Sequence, residues 1–373
     1  MSTTITTTTI DPVLTLPHDQ QPDPDEFIQA AMRWHFDPDT GSKFWLRRAE
    51  SLDFDPRVDV RTFADLALFP NVTDELRGVP IRDLVPQGWG PRPEVVSVIE
   101  SGGTTGIPKR LPLLRHFADL LTGQAVAGLE TGGVNPEQDW LVLMPSGPHG
   151  AFEQSRRPAT AFGAVVFGID LDPRWVKKSI GRGDVEGSAA YVDHIIDQAS
   201  TILLERNVGT IRLTPPILAR LSERDELVER IAETVTHIGW GGAHMDPDSR
   251  NFYRTVLYPD VVLSGTYGTT MALGAGAAER AGLSPEDPCV FDPYLSPYVT
   301  FSVVDPETGE AVDYGMRGQL VVNHVSASFL LPNNAERDEA TRIQPTSIQV
   351  GDSIADISPL ATFGGTDVIE GVY

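Results

Sequence analysis

Residues 100 to 110 read ESGGTTGIPKR and follow directly on the apolar run EVVSVIE at 94 to 100. Three glycines, three hydroxyl side chains and a lysine in one short loop are suited to holding an anion. The glycines let backbone N–H groups turn toward it, Ser101, Thr104 and Thr105 add donors, and Lys109 brings a mobile positive charge. The loop glycines are Gly102, Gly103 and Gly106. Two common phosphate-binding patterns do not fit. A Walker loop needs Gly-Lys-Ser/Thr opening a helix, whereas Ile107 and Pro108 separate Gly106 from Lys109, and Arg110 follows. The dinucleotide fingerprint fails on glycine spacing, and no helix is expected to begin at Ile107-Pro108. A triphosphate is the natural guest.

Outward from this loop, the pattern is that of a layered α/β protein. EVVSVIE and WLVLMP (140 to 145) read as buried parallel strands separated by the amphipathic LLRHFADLLTGQAVAGLE. A second alternation runs through AFGAVVFGI, AAYVDHIIDQASTILLER, TIRLT, PPILARL, TVTHIG and DSRNFYRTVLY to VVLSGTYG at 261 to 268. After about residue 290, short alternating strands flank the turn Asp305-Pro306-Glu307-Thr308-Gly309 and predict a small antiparallel or barrel-like lobe. Before the loop, FIQAAMRWHF and KFWLRRAESL carry apolar residues at helical spacing, whereas residues 1 to 25 are rich in Thr, Pro, Asp and Gln and read as a flexible leader. The expected organisation is a leader at 1–25, a first α/β part at 26–150, a second at 151–288 and a β-rich lobe at 289–373.

Composition narrows the function. The chain has 373 residues, with 40% hydrophobic and 22% charged, which suits a folded protein of more than one packed unit. A formal charge of −23 opposes nucleic-acid and anionic-membrane binding, so any anion site must be local. The single cysteine, Cys289, cannot form an internal disulfide or a thiolate metal cluster and points to a reducing compartment. There is no run of ~18 apolar residues and no basic-then-apolar amino terminus, so a cytoplasmic location is expected.

Ser-Gly-Gly-Thr-Thr-Gly-Ile-Pro-Lys resembles the phosphate loop of the acyl-adenylate-forming superfamily of acyl-CoA synthetases, luciferases and peptide-synthetase adenylation domains. Further stretches follow in that family's order. Gly241, Gly242 and Ala243, after Trp240, resemble its adenine-side turn. Thr266, Tyr267, Gly268, Thr269 and Thr270, after Gly265, resemble its Tyr-Gly-x-Thr signature. Tyr314 to Leu320 is similar to a Gly-x-x-Gly-Glu-Leu segment, and Val350-Gly351-Asp352 to its Thr-Gly-Asp. The resemblance implies two α/β layered subdomains plus a distorted β-barrel lobe. It implies ATP as cosubstrate, Tyr267 on adenine, Asp352 on the ribose, and Lys109, Thr105 and Thr270 as the groups that act on the phosphates.

The sequence also departs from this pattern. Met271 stands where the family has a magnesium-binding glutamate, so Mg2+ is expected to rely on phosphate and water. The family continues past a Gly-Arg hinge into a small domain with a catalytic lysine. This sequence has Gly364-Gly365-Thr366-Asp367 there and stops at Tyr373, which predicts adenylate formation without thioester formation. The resemblance places the acid near Ser146, Gly147, His149, Gly150, Trp240 and Gly265, where an aromatic ring fits better than a long acyl chain. The stretches FDPDTGSKFWLRRAESLDFDPR and TFADLALFPN look most similar to short adenylating enzymes of phenazine antibiotic tailoring, within a wider likeness to phenylacetate-CoA ligase-like proteins. The expected function is ATP-dependent activation of an aromatic acid, with a downstream reductase as a possible acceptor. The alternatives are a CoA ligase completed in trans by a partner, or a non-catalytic module that binds an aromatic acid or nucleotide.

Overall fold

The computed structural model describes residues 10–102, 107–284, 287–346 and 348–360, with the backbone of 362–363 and 366–367. Its centre is an eleven-stranded mixed sheet. A separate hairpin, β1 (Val95–Glu100) and β2 (Arg110–Leu114), precedes it. The sheet strands in chain order are β3 (Asp139–Leu143), β4 (Val166–Gly168), β5 (Val208–Leu213), β6 (His237–Gly241), β7 (Val262–Gly268), β8 (Gly276–Glu279), β9 (Val290–Pro293), β10 (Val299–Val304), β11 (Arg317–Val325), β12 (Leu330–Ile343) and β13 (Ser353–Pro359). They lie in the order β10-β11-β12-β13-β9-β8-β7-β6-β5-β3-β4.

From β4 to β7 the strands are parallel, and their crossovers are helices, as parallel pairing requires. The helices in chain order are α1 (Pro24–Phe36), α2 (Lys43–Ala49), α3 (Pro56–Asp59), α4 (Ile81–Leu84), α5 (Arg115–Thr131), α6 (Ala151–Phe162), α7 (Pro173–Gly181), α8 (Val185–Glu205), α9 (Pro215–Leu221), α10 (Asp225–Thr234) and α11 (Pro247–Phe252). Local chemistry sets their ends. The Asp23 carboxylate accepts from the N–H groups of Asp25 and Glu26 and Pro24 opens α1, while Gly163, at φ 104°, closes α6 in the left-handed region.

Two expectations change. The run at 94 to 100 does not join the parallel sheet beside 140 to 145. It folds back antiparallel on β2, so the glycine loop is the connection of a hairpin, closed by Ser101 N–H on the Lys109 carbonyl at 3.0 Å. A six-residue run with four apolar members fits a hairpin as well as a parallel strand, and Val95 and Val98 of β1 are exposed. Residues 10–23 are not a loose leader: Leu14 is fully buried and Asp11 caps a short 3-10 turn at Pro12–Thr15. The β-rich lobe continues the central sheet through β8 and β9, joined to β13 by only two residue pairs, Ile354↔Phe291 and Ala355↔Val290. The segment before β13 folds back on β10, where Asp352 N–H donates to the Phe301 carbonyl at 2.8 Å, which gives the lobe its barrel-like closure.

The amino-terminal helices fix the β11–β12 hairpin. Trp34 and Trp89 both donate their indole N–H to the Ala327 carbonyl, at 2.9 and 2.8 Å, and Trp45 donates to Leu330 at 2.9 Å. Beneath them His35, 1% exposed, bonds through Nε2 to the Ser326 carbonyl at 2.7 Å, and His324, fully buried, bonds to the Ser326 hydroxyl at 3.0 Å. Burial holds both rings neutral and depresses their pKa values, to about 4 for His35 and about 3 for His324. In the unfolded chain both regain an ordinary value near 6.5. The unfolded state therefore binds more protons below that pH, and the stability each neutral ring contributes is complete above pH 6.5 and lost as pH falls toward the folded values. Urea unfolding between pH 6 and 4.5 should give a stability slope that is lower by about 1.4 kcal/mol per pH unit for each histidine replaced in His35→Gln and His324→Gln. An unchanged slope would mean that these rings are protonated in the fold.

Candidate nucleotide and acid site

At the carboxyl ends of β6 and β7 a cavity of about 220 Å3 opens between the Gly242–Met245 turn, Tyr267, and the facing strands β12 and β13. Ligands in layered α/β proteins bind at this end of the strands. The turn needs glycine, because Gly242 has φ 79°. Tyr267 donates its phenol O–H to Asp338 on β12 at 2.8 Å, and burial raises the phenol well above its ordinary pKa. Trp240 and Phe291 meet edge to face at 6.1 Å on the floor, and the Trp240 indole N–H is buried without a hydrogen-bond partner among the described residues.

Lys177, Arg250 and Arg337 line the wall with His244 and two carboxylates, Asp338 and Asp356, and Asp356 already accepts from Thr341 at 3.0 Å. In a chain of formal charge −23 this gathers three permanent cations at one cavity, a setting that suits an anionic ligand. Arg250, 1% exposed, is steadied by Glu279, which also pairs with Arg254 at 2.8 Å and accepts from the Gly265 N–H at 2.8 Å. Lys177 on α7 comes close to the loop, since a Cβ on Gly102 would lie 3.8 Å from its ammonium.

The loop reaches the same region from the other side. Ser101 accepts from the Lys109 N–H at 2.9 Å, and the Lys109 ammonium lies 3.9 Å from Asp74. Burial lowers its pKa, and Asp74 and Glu336 pull the other way. Gly103, Thr104, Thr105 and Gly106 lie outside the described residues. Glu336 on β12 accepts from Thr269 at 2.6 Å and Asn334 at 2.9 Å, and burial raises its pKa. Met271 is 3% exposed and packs in the core, whereas Thr270 is only partly buried.

Other positions singled out from sequence divide between two faces of the sheet. Thr266, Tyr267, Trp240, Gly242 and Ala243 meet at the cavity, and Gly241 and Gly265 lie directly behind it. Gly268 sits at the start of the β7–β8 turn opposite Gly276. On the other face a smaller cavity of about 50 Å3 is lined by Ile99, Leu113, Gly150, Gln154, Gly274 and Tyr294, among others. Ser146 donates to Asp170 at 3.0 Å, and His149 follows Gly147 in a 3-10 turn and lines neither cavity. Burial lowers the His149 pKa, reinforced by Arg174.

Asp352 is placed elsewhere than the sequence suggested. It is 6% exposed, pairs with Arg342 at 2.9 Å, accepts from the Val303 N–H at 3.2 Å and does not line the cavity. The carboxylate at the cavity beside Tyr267 is Asp338, which sequence reasoning missed. A signal was present: in NNAERDEATRI, Asn334, Glu336 and Asp338 recur at every second position and so share one face of β12. Lys177 was missed as well. No group of three or more His, Cys, Asp or Glu residues among those described is arranged to hold a metal ion, and no helix is long and apolar enough to cross a membrane.

No family model matches the chain. Over 138 residues, 36% of its length, it is 31% identical to 4-coumarate--CoA ligase-like 6 of Oryza sativa subsp. japonica, and the match spans 22% of that protein. Among solved structures it is similar to 2-hydroxyisobutyryl-CoA ligase in the postadenylation state with 2-HIB-AMP, at 15% identity and a TM-score of 0.63, over 96% of this chain and 76% of that one. ATP-bound MatB from Rhodopseudomonas palustris is similar at 18% identity and a TM-score of 0.50, over 73% of this chain and 50% of that one. The chain has the fold of the acyl-adenylate-forming enzymes, the superfamily that its motifs resemble.

Proposed function

We propose that the chain uses ATP to activate a carboxylic acid as its acyl adenylate, releasing pyrophosphate. The observation that carries this reading is the cavity in which Tyr267 and Asp338 join at the strand ends under a wall of Lys177, Arg250 and Arg337, with the Lys109 loop alongside. Asp338 is placed to take the ribose hydroxyls, and the peptide edges of Gly242–His244 and the Tyr267 ring to take the adenine. A carboxylate oxygen of the acid attacks the α-phosphorus, the bond to the bridging oxygen of the β-phosphate breaks, and pyrophosphate leaves. Lys109 and Lys177 offset the charge that builds on the departing phosphates. A divalent cation with the nucleotide would neutralise phosphate charge. Glu336, oriented by Thr269 and Asn334 beside Lys109, would supply the one carboxylate such an ion can take, with phosphate oxygens and water filling its shell.

The acid is proposed to lie on the face of β6 and β7 that carries Thr266, toward the smaller cavity lined by Gly150, Gly274 and Tyr294, where the Gln154 amide fills the space over Gly274 and would swing aside to admit a flat ring. The likeness of residues 36–57 and 62–71 to phenazine-tailoring enzymes makes a phenazine carboxylate the first acid to try, with a reductase or another nucleophile as acceptor. The test is pyrophosphate release from ATP against a panel of aromatic and aliphatic acids, with the adenylate identified by mass spectrometry. Nucleotide binding without acid-dependent pyrophosphate release would instead support a binding module, a reading favoured by the buried Met271.

Two substitutions separate the roles of the carboxylates. Asp338→Asn should weaken nucleotide binding by roughly 1 to 3 kcal/mol, the scale of a charge-assisted hydrogen bond, as read by calorimetry. Asp352→Ala should leave nucleotide affinity unchanged and cost about 3 kcal/mol of stability, because Arg342 loses its buried partner. The reverse pattern would return the ribose to Asp352.

Lys109→Ala should slow adenylate formation roughly 100-fold, the effect of removing one donor to developing charge. Its melting temperature should hold, since its ion-pair partner Asp74 is 79% exposed. An unaltered rate would remove Lys109 from the chemistry.

A further inference from the structure

Ser101 and Lys109 close the hairpin of the glycine loop on itself, so its aim toward β12 must come from elsewhere. A turn ahead of it in sequence supplies that aim. Residues 71 to 77 read NVTDELR and end in a 3-10 turn, Glu75–Arg77. Val72 and Leu76 are buried and key the turn into the core. The Asn71 side chain accepts from the Thr73 N–H at 3.0 Å, and the buried Thr73 hydroxyl donates to the Asn334 side chain. Asn334 in turn donates to Glu336 at 2.9 Å. One end of the turn is thus fastened to the strand that carries Glu336 and Asp338.

The other end grips the loop. Arg77 donates through Nη1 to the Ile107 carbonyl at 2.6 Å and through Nη2 to Asp74 at 3.3 Å. The same Asp74 oxygen lies 3.9 Å from the Lys109 ammonium. Pro108 stands between Ile107 and Lys109 and fixes one backbone dihedral, so a hold on Ile107 is also a hold on Lys109. The planar guanidinium fork suits this post, because it aims N–H groups at two acceptors at once.

We infer that Arg77 is a positioning residue: from a turn fastened to β12, it holds Ile107 and so sets the place of Lys109 relative to Glu336 and the phosphates. The inference rests on the adenylation reading and adds a residue that acts through Lys109 without touching the substrate.

A double-mutant cycle tests it, with pyrophosphate release from ATP measured on phenazine-1-carboxylate or the best acid of the panel. Arg77→Met should lower kcat roughly 10-fold, short of the loss in Lys109→Ala, because a displacement of about 1 Å removes much of a charge's effect on the reacting group. KM for ATP should stay within about twofold. In Lys109→Ala protein the same substitution should cost nothing further, since residues that act as a unit are not additive. Arg77→Lys, which keeps the charge and a single donor, should recover part of the rate. Nuclear magnetic resonance with isotope-labelled lysine gives a readout independent of turnover, because the chain has four lysines, Lys43, Lys109, Lys177 and Lys178. In Arg77→Met the Lys109 signal should move toward those of the exposed Lys43 and Lys178. An additive loss in the double variant, or a raised KM with kcat unchanged, would make Arg77 a direct phosphate ligand and overturn the inference. So would a Lys109 signal that does not move. Failure of every acid to release pyrophosphate from the parent protein would overturn the adenylation reading, with the Lys109 signal still deciding whether Arg77 holds the loop.

Discussion

A side chain at position 239 would overlap the Arg212 guanidinium, one at 241 the Thr266 hydroxyl, and one at 265 the Trp240 ring. These three glycines lie on two neighbouring parallel strands, and their lack of side chains makes room on both faces of the sheet at once. On one face Trp240 lies down against β7 and floors the larger cavity. On the other, Arg212 and Thr266 lie flat and make a polar trough. Strand pairing fixes the positions and the glycines fix what may lie over them, so the geometry of both pockets follows from backbone already committed to the central sheet.

The opposite wall reaches the site by a different route. Asp338 and Glu336 sit in the middle of β12, a strand of 14 residues, and their height over the cavity depends on where the β11–β12 hairpin is held. Three indole N–H groups from the amino-terminal part of the chain hold it, two on the Ala327 carbonyl and one on Leu330. A segment far from the site in sequence thus sets the register of the carboxylates against Tyr267. Pre-placed donors and charges are worth most where they need not reorganise when a ligand arrives.

What could be read from the sequence were features written locally. The Gly-Gly turn, the Thr266–Tyr267 pair and the lysine-bearing loop each declare themselves within a few residues, and the helix-strand alternation from 140 to 268 announces the parallel layers. The hidden features depend on distant pairing. Four apolar residues at 94 to 100 do not reveal whether they pair with β2 or join β3, and Leu14 is the one fully buried aliphatic of a polar stretch. Asp352 and Asp338 both sit in plausible turn or strand chemistry, and only the folding of β12 over the end of β7, where Tyr267 meets Asp338, brings one of them to the cavity while Arg342 engages the other. Arg212 reads as an ordinary strand residue until Gly239 is seen beneath it.

The seam between β9 and β13 is two residue pairs wide, yet it joins strands that carry different walls of the larger cavity: Trp240 and Phe291 on one side, Asp338 and Ile357–Pro359 on the other. In mechanical terms the sheet is two stiff plates sharing a short selvedge, and the cavity is the gap across it. A molecule bound there acts as a tie-bar, adding contacts that span the joint where backbone ladder is scarce. Occupancy of the cavity and the rigidity of the whole sheet are therefore one property, seen from the ligand or from the protein.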